Sequence, residues 1–152
     1  MNAIELLKED HNELRSYFST YKASDSDGEK HKIFDKIKAK LDVHTHIEET
    51  VFYPKLKEHK ELEDITLEGI EEHHVGDVLV REISNLKNDS EKFEPKMEVL
   101  IESTEHHLQE EEGKMFPKVE KIFSESELDE LGKQMAEEEK KFKKSHAASA
   151  GK

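Results

Sequence analysis

The feature that most restricts the fold is a phrase that occurs twice. One copy runs from His44 through Glu48 and Glu49 to Tyr53 and Pro54. The other runs from His107 through Glu111 and Glu112 to Phe116 and Pro117. In both, a glutamate follows a histidine by four places. On an α-helix, residues four apart share a face one turn from each other. Each copy therefore offers an imidazole and a carboxylate pointing the same way, which is half of a metal site.

The phrase belongs to a longer repeat. His11 and His74, His44 and His107, Glu48 and Glu111, Glu49 and Glu112, Pro54 and Pro117 are all 63 residues apart, as are Phe34 and Met97 or Ile37 and Leu100. The second half of the chain thus repeats the first, with a lone histidine on one helix and His-x-x-x-Glu on the next. His73 and His74 are neighbours, about 100° apart on a helix, and cannot both face one site. The 63-residue offset pairs His11 with His74 and Asp10 with His73. It makes His74 the expected inward residue and His73 a neighbour that is either solvated or supports a ligand.

Of the 152 residues, 40% are charged and 33% hydrophobic. A composition this polar folds only if its apolar residues are patterned. Here they follow helical periods with narrow buried stripes. The length suits one domain. The spacing predicts helices at about 2–21, 29–59, 62–87 and 91–123, and a short fifth helix at about 125–142. Residues 1–142 then form the domain and 143–152 a flexible tail. Asn2 with Glu5, Ser26 with Glu29 and Ser124 with Glu127 have capping-box spacing. Pro54 and Pro117 should kink or end their helices just past the His/Glu turns. Four helices with short links predict an all-α fold, an up-down-up-down antiparallel four-helix bundle with a short C-terminal helix.

Several functions are excluded early. A net charge of -13 repels phosphate backbones and anionic membrane surfaces. Neither a nucleic-acid nor a membrane partner is expected, and no apolar run approaches the roughly 20 residues of a bilayer span. The chain has no cysteine, hence no thiolate ligand and no disulfide framework. Its first residues lack the basic-then-apolar plan of a signal peptide, so a cytoplasmic location is expected.

The candidate ligands are His11, His44, Glu48, His74, His107 and Glu111. Six are too many for one tetrahedral zinc and suit two metal ions with bridging carboxylates. Nitrogen and oxygen donors without sulfur point to iron, with manganese possible. Asp10, Glu49, Glu71 and Glu112 are candidate acceptors for the imidazole N–H groups. Tyr17, Phe18, Tyr21, Phe52, Tyr53 and Phe116 are candidates for an apolar wall. Burying such a layer without metal would cost several kcal/mol for each unpaired charge.

The doubled half, with Asp10-His11, Glu72-His73-His74 and its Tyr-Pro and Phe-Pro endings, resembles the hemerythrin-like or HHE cation-binding domain over about residues 1–123. The resemblance implies a four-helix bundle around two iron ions, oxo- or hydroxo-bridged, that bind dioxygen, nitric oxide or peroxide. Oxygen-carrying members use two histidines four apart on the third helix, and an aspartate five places after the last histidine. Here Ile70 and Val78 flank His74, and Glu111 stands four places after His107. The pattern is closer to members with four histidines and two glutamates. These are associated with sensing, iron handling, repair of iron centres or peroxide chemistry. The expectation is a small-molecule-binding protein for storage, sensing or stress response. The alternative is a di-iron enzyme with oxidase, peroxidase-like or nitric-oxide-reducing activity, using Tyr17, Tyr21 or Tyr53 as acid.

Overall fold

The first helix starts where its cap requires. The Asn2 side chain accepts a hydrogen bond from the Glu5 amide at 2.9 Å, and Glu5 accepts from the Asn2 amide at 3.0 Å. A computed structural model describes residues 1–150. The elements are α1 (Ala3–Ala23), α2 (Asp27–Ile47), a π turn (Glu48–Phe52), α3 (Tyr53–Leu56), α4 (Lys60–Ser84), α5 (Phe93–Glu110), a second π turn (Glu111–Met115), α6 (Phe116–Ile122) and α7 (Glu125–Ala150). α2 and α3 form one rod through the first π turn, and α5 and α6 form another through the second. With α1 and α4 these are the four antiparallel members of the expected bundle. No described helix is long and apolar enough to cross a membrane.

The two prolines do not break their rods. Each follows a π turn and sits in the first turn of the next α segment, where a missing N–H is tolerated. In the first π turn the Tyr53 amide donates to the Glu48 carbonyl, five residues back. This extra residue matters. At 100° per residue Tyr53 would lie about 180° away from His44. The π turn swings it back, and Phe52 and Tyr53 are both fully buried. Phe116 gains the same placement nine residues after His107.

The fifth helix is not short. It has 26 residues, and the segment 143–150 expected as a flexible tail continues the helix. Residues 151–152 lie outside the described residues. The Ser124–Glu127 box starts α7, with hydrogen bonds of 2.9 and 3.1 Å. Leu128, Leu131 and Met135 are buried as the helix crosses α1, α2 and the first π turn. Gly132 permits this crossing. A Cβ there would collide with the Met1 carbonyl oxygen and fall 2.7 Å from the Asn2 carbonyl carbon.

The apolar core is in two parts. One gathers Leu7, Ile47, Phe52, Leu56, Leu62, Phe116 and the buried face of α7. The other gathers Leu14, Phe18, Tyr21, Phe34, Ile37, Met97 and Leu100. On α1 the single residue His11 lies midway between Leu7 and Leu14, and a polar layer separates the two cores at that level.

Candidate metal centre

Each long rod places one residue, or a His/Glu turn, in this layer. α1 supplies His11 and α4 supplies His73. The two rods with π turns supply His44 with Glu48 and His107 with Glu111. His11, His44, Glu48 and Glu111 are nearly inaccessible to solvent. The donors fall into two groups. His11, His44 and Glu111 form one; Glu48, His73 and His107 form the other; the ligand atoms within each lie within 4.8 Å of one another.

His74 is not among them. It is exposed, while the His73 side chain is only 6% exposed and its Nε2 lies 3.0 Å from Glu48 Oε1. The expectation based on the 63-residue offset is therefore corrected. α1 and α4 are related by 62 residues, because the second half has one residue more between its lone histidine and its His/Glu turn. A signal for this was present. An offset of 63 sets Asp77 and Arg81 opposite Leu14 and Phe18, whereas 62 sets Gly76 and Val80 there. An offset of 62 also matches Asp10-His11 with Glu72-His73, acid before histidine in both.

The same one-residue shift replaces Glu71 by Glu72 as an imidazole partner. All four ring Nδ1 atoms meet carboxylates: His11 with Glu112 at 2.7 Å, His44 with Asp10 at 3.0 Å, His73 with Glu49 at 2.7 Å and His107 with Glu72 at 2.7 Å. A carboxylate accepts and the Nδ1–H donates, so in the neutral ring every Nε2 keeps a lone pair turned inward. The pattern has near two-fold symmetry. The carboxylate before the histidine of α1 or α4 serves the next rod's histidine. The second glutamate of each His-x-x-x-Glu-Glu serves the lone histidine of the opposite half.

The inward atoms lack enough partners of their own. His44 Nε2 and Glu48 Oε2 are buried without a hydrogen bond. The Nε2 atoms of His73 and His107 stand 3.1 Å apart. Two lone pairs at that distance need a proton or a cation between them. The carboxylates around these rings favour a proton there. Burial pulls the His73 imidazole down, but hydrogen bonds to Glu48 and Glu49 outweigh it and hold it at about 9. Burial acts against His107 and His11 too. Glu111, with Glu48 and Glu72, keeps His107 well above its ordinary value, and Glu111 with Glu48 and Glu112 raises His11. Burial pushes Glu48 up, but the surrounding histidines hold it well below its ordinary value.

The expected aromatic wall is partly present. Phe116 stacks on His11 at 5.8 Å and Tyr53 stacks on His73 at 5.4 Å. Phe52 packs edge-on against Phe116. Phe18 and Tyr21 belong to the farther core, and Tyr17 donates to Glu13 on the surface. Tyr53 and Phe116 hold equivalent places, so one hydroxyl breaks the symmetry. It donates to Glu111 Oε2 at 2.6 Å and lies 3.4 Å from both Glu48 Oε1 and His107 Nε2. Burial, then the charges of Glu111 and Glu48, raise the phenol well above its ordinary value, so it holds its proton. Gly69, the equivalent of Leu7, leaves room for it: a Cβ there would lie 3.0 Å from the Tyr53 oxygen.

This geometry agrees with the comparisons with known proteins. The model of the hemerythrin HHE cation-binding domain matches residues 2–119. The chain belongs to the hemerythrin HHE cation-binding family. The solved structure of a hemerythrin HHE cation-binding domain-containing protein from Mycobacterium kansasii is similar with a TM-score of 0.80 and 26% identity, covering 95% of this chain and 89% of that one. No curated protein sequence matches the chain. The His/Glu layer of this HHE domain lies wholly within the matched residues.

Proposed function

We propose that the chain is a non-haem di-iron protein whose ligands are His11, His44, Glu48, His73, His107 and Glu111. In this reading it binds dioxygen, nitric oxide or peroxide for storage, sensing or stress response. The observation that carries it is the division of labour in all four imidazoles, with Nδ1 fixed by a carboxylate and Nε2 turned towards two buried glutamates. The two donor groups support two ions. Nitrogen and oxygen donors favour iron, with manganese the other fit. A bound iron pair supplies redox chemistry and open positions for a small molecule. The protein's own part is to hold the ligands, keep the layer between two dry cores, and keep a proton at Tyr53.

Metal analysis after anaerobic loading with ferrous iron tests this. Two ions per chain, with new visible absorption on exposure to air or nitric oxide, is the expected result. A protein that holds no iron after loading contradicts it. Turnover of peroxide or nitric oxide is the second reading, and the buried Tyr53 hydroxyl favours it, since its oxygen donates to Glu111 Oε2 across 2.6 Å. In that case Tyr53→Phe keeps the metal and loses turnover.

A further inference from the structure

A cavity of about 720 Å³ lies between α2, α4 and α5, with the end of α7 at its edge. Its floor is the metal layer itself, through His44, His73 and His107. Its outer wall carries Asp42, Glu71 and Asp77 together with His46, His74 and His146. No lysine or arginine lines it, in a chain that has 24 of them. Asp77 shares one oxygen with Arg81 at 2.7 Å, on the exposed side of α4. Asp42 on α2 and Asp77 on α4 both line the cavity, so carboxylates from two helices share one concave surface.

The other approaches to the layer are closed by positive charge. Lys40 Nζ lies 2.7 Å from Asp10 and 2.9 Å from Glu13, at the seam of α1 and α2. Arg15 donates twice to Glu112, at 2.9 and 3.0 Å, and also to Glu105, at the seam of α1 and α5. Both imidazole partners on the His11/His44 side are therefore covered by a cation. Glu49 and Glu72, the partners on the His73/His107 side, have no lysine or arginine on them among the described residues, and both line the cavity. A concave surface of one sign concentrates ions of the other sign and speeds their arrival.

We infer that the α2/α4 cavity is a receiving site for hydrated divalent cations and the port through which they reach the buried centre. Asp42, Glu71 and Asp77 attract the ion, and His74 offers an exchangeable nitrogen ligand, while His46 Nε2 is held by Glu138 at 2.8 Å and His146 Nδ1 donates to the Phe142 carbonyl at 2.9 Å. His73 and His107 of one donor group line the cavity, and His44 lines it while belonging to the other group with His11 and Glu111, so both groups can be reached from it. This inference rests on the metal-centre reading above.

The test is the rate of cobalt(II) uptake by the metal-free protein, followed by visible absorption, with cobalt content measured at equilibrium. Gly76 lines the cavity, and a Cβ there meets nothing within 4 Å, so a side chain can be added without disturbing the helix. Gly76→Lys should slow uptake about tenfold at low salt, while Gly76→Glu loads at least as fast as the wild type. Salt should erase the difference, and both variants should still reach two cobalt ions per chain. The triple variant Asp42→Asn/Glu71→Gln/Asp77→Asn should slow uptake in the same salt-dependent way. Wild-type rates in Gly76→Lys and in the triple variant overturn the port while leaving the metal centre standing. Equal slowing by lysine and glutamate overturns the charge-guided role. A wild-type protein that takes up no cobalt overturns the metal centre and the port together.

Discussion

A histidine can be firmly held and still available to a metal only if its two nitrogens have separate tasks. Each of the four inner histidines meets that condition through one carboxylate on Nδ1. The carboxylates differ in how directly they act, and this can be measured. Glu72→Gln should weaken metal binding about 10- to 100-fold, because it removes the acceptor that fixes the His107 ring. Glu71→Gln should leave equilibrium affinity unchanged. Competition against a chromophoric chelator measures both. Likewise His73→Ala should remove one donor group and lower the metal content, while His74→Ala should keep it. Equal effects at 73 and 74 would contradict the geometry. Five of the six inner residues were legible in the sequence, because the His-x-x-x-Glu turns fix their own register and His11 stands within an apolar stripe. His73 is not legible from a uniform 63-residue repeat. Residues within one helix constrain one another, but a link between helices can gain a residue without harm to either half.

At the scale of elements, the π turns do the positioning. A straight helix could bring His44 and Glu48 inward, but Tyr53 would then face away. The extra residue before Pro54 turns it in. Proline spacing marked the location but not the form, because a missing N–H is accommodated equally by a kink, a break or a widened turn. α7 shows a different limit. Its apolar positions end at Phe142, and hydrophobic periodicity reports burial rather than helicity. Residues 143–146 keep helical form while exposed, and lysine favours helix without packing. What binds α7 to the bundle is the burial of Leu128, Leu131 and Met135, which the close crossing at Gly132 permits. Gly132→Ala should destabilise the protein by about 1–3 kcal/mol, through overpacking against Met1 and Asn2. The gain in helix propensity from alanine is smaller than that. Urea denaturation measures the difference, and unchanged or increased stability would show that the crossing is loose.

For the whole molecule, the proposed centre makes protons and metal ions compete for one layer. Without metal, the layer is held by protonated imidazoles between carboxylates. His73 shows the consequence most directly, with a folded value of about 9 against about 6.5 for a free imidazole. A value raised on folding means that the native state holds the proton more tightly. The resulting stability is fully present below about pH 6.5 and is lost as the pH rises through 9. For His73 alone it is on the order of 3 kcal/mol, and His11 and His107 shift in the same direction. Metal binding uses neutral imidazoles and releases those protons. The metal-free protein should therefore become less stable between pH 6.5 and 9, while metal affinity rises over the same window. The loaded protein should lose little stability there, because the ions take over the role of the protons. Denaturation curves at pH 6, 7.5 and 9, with and without cobalt(II), separate the two forms. Metal-free stability that rises across this window would mean that the layer is not held by protons, and the reading of its charge balance would fail.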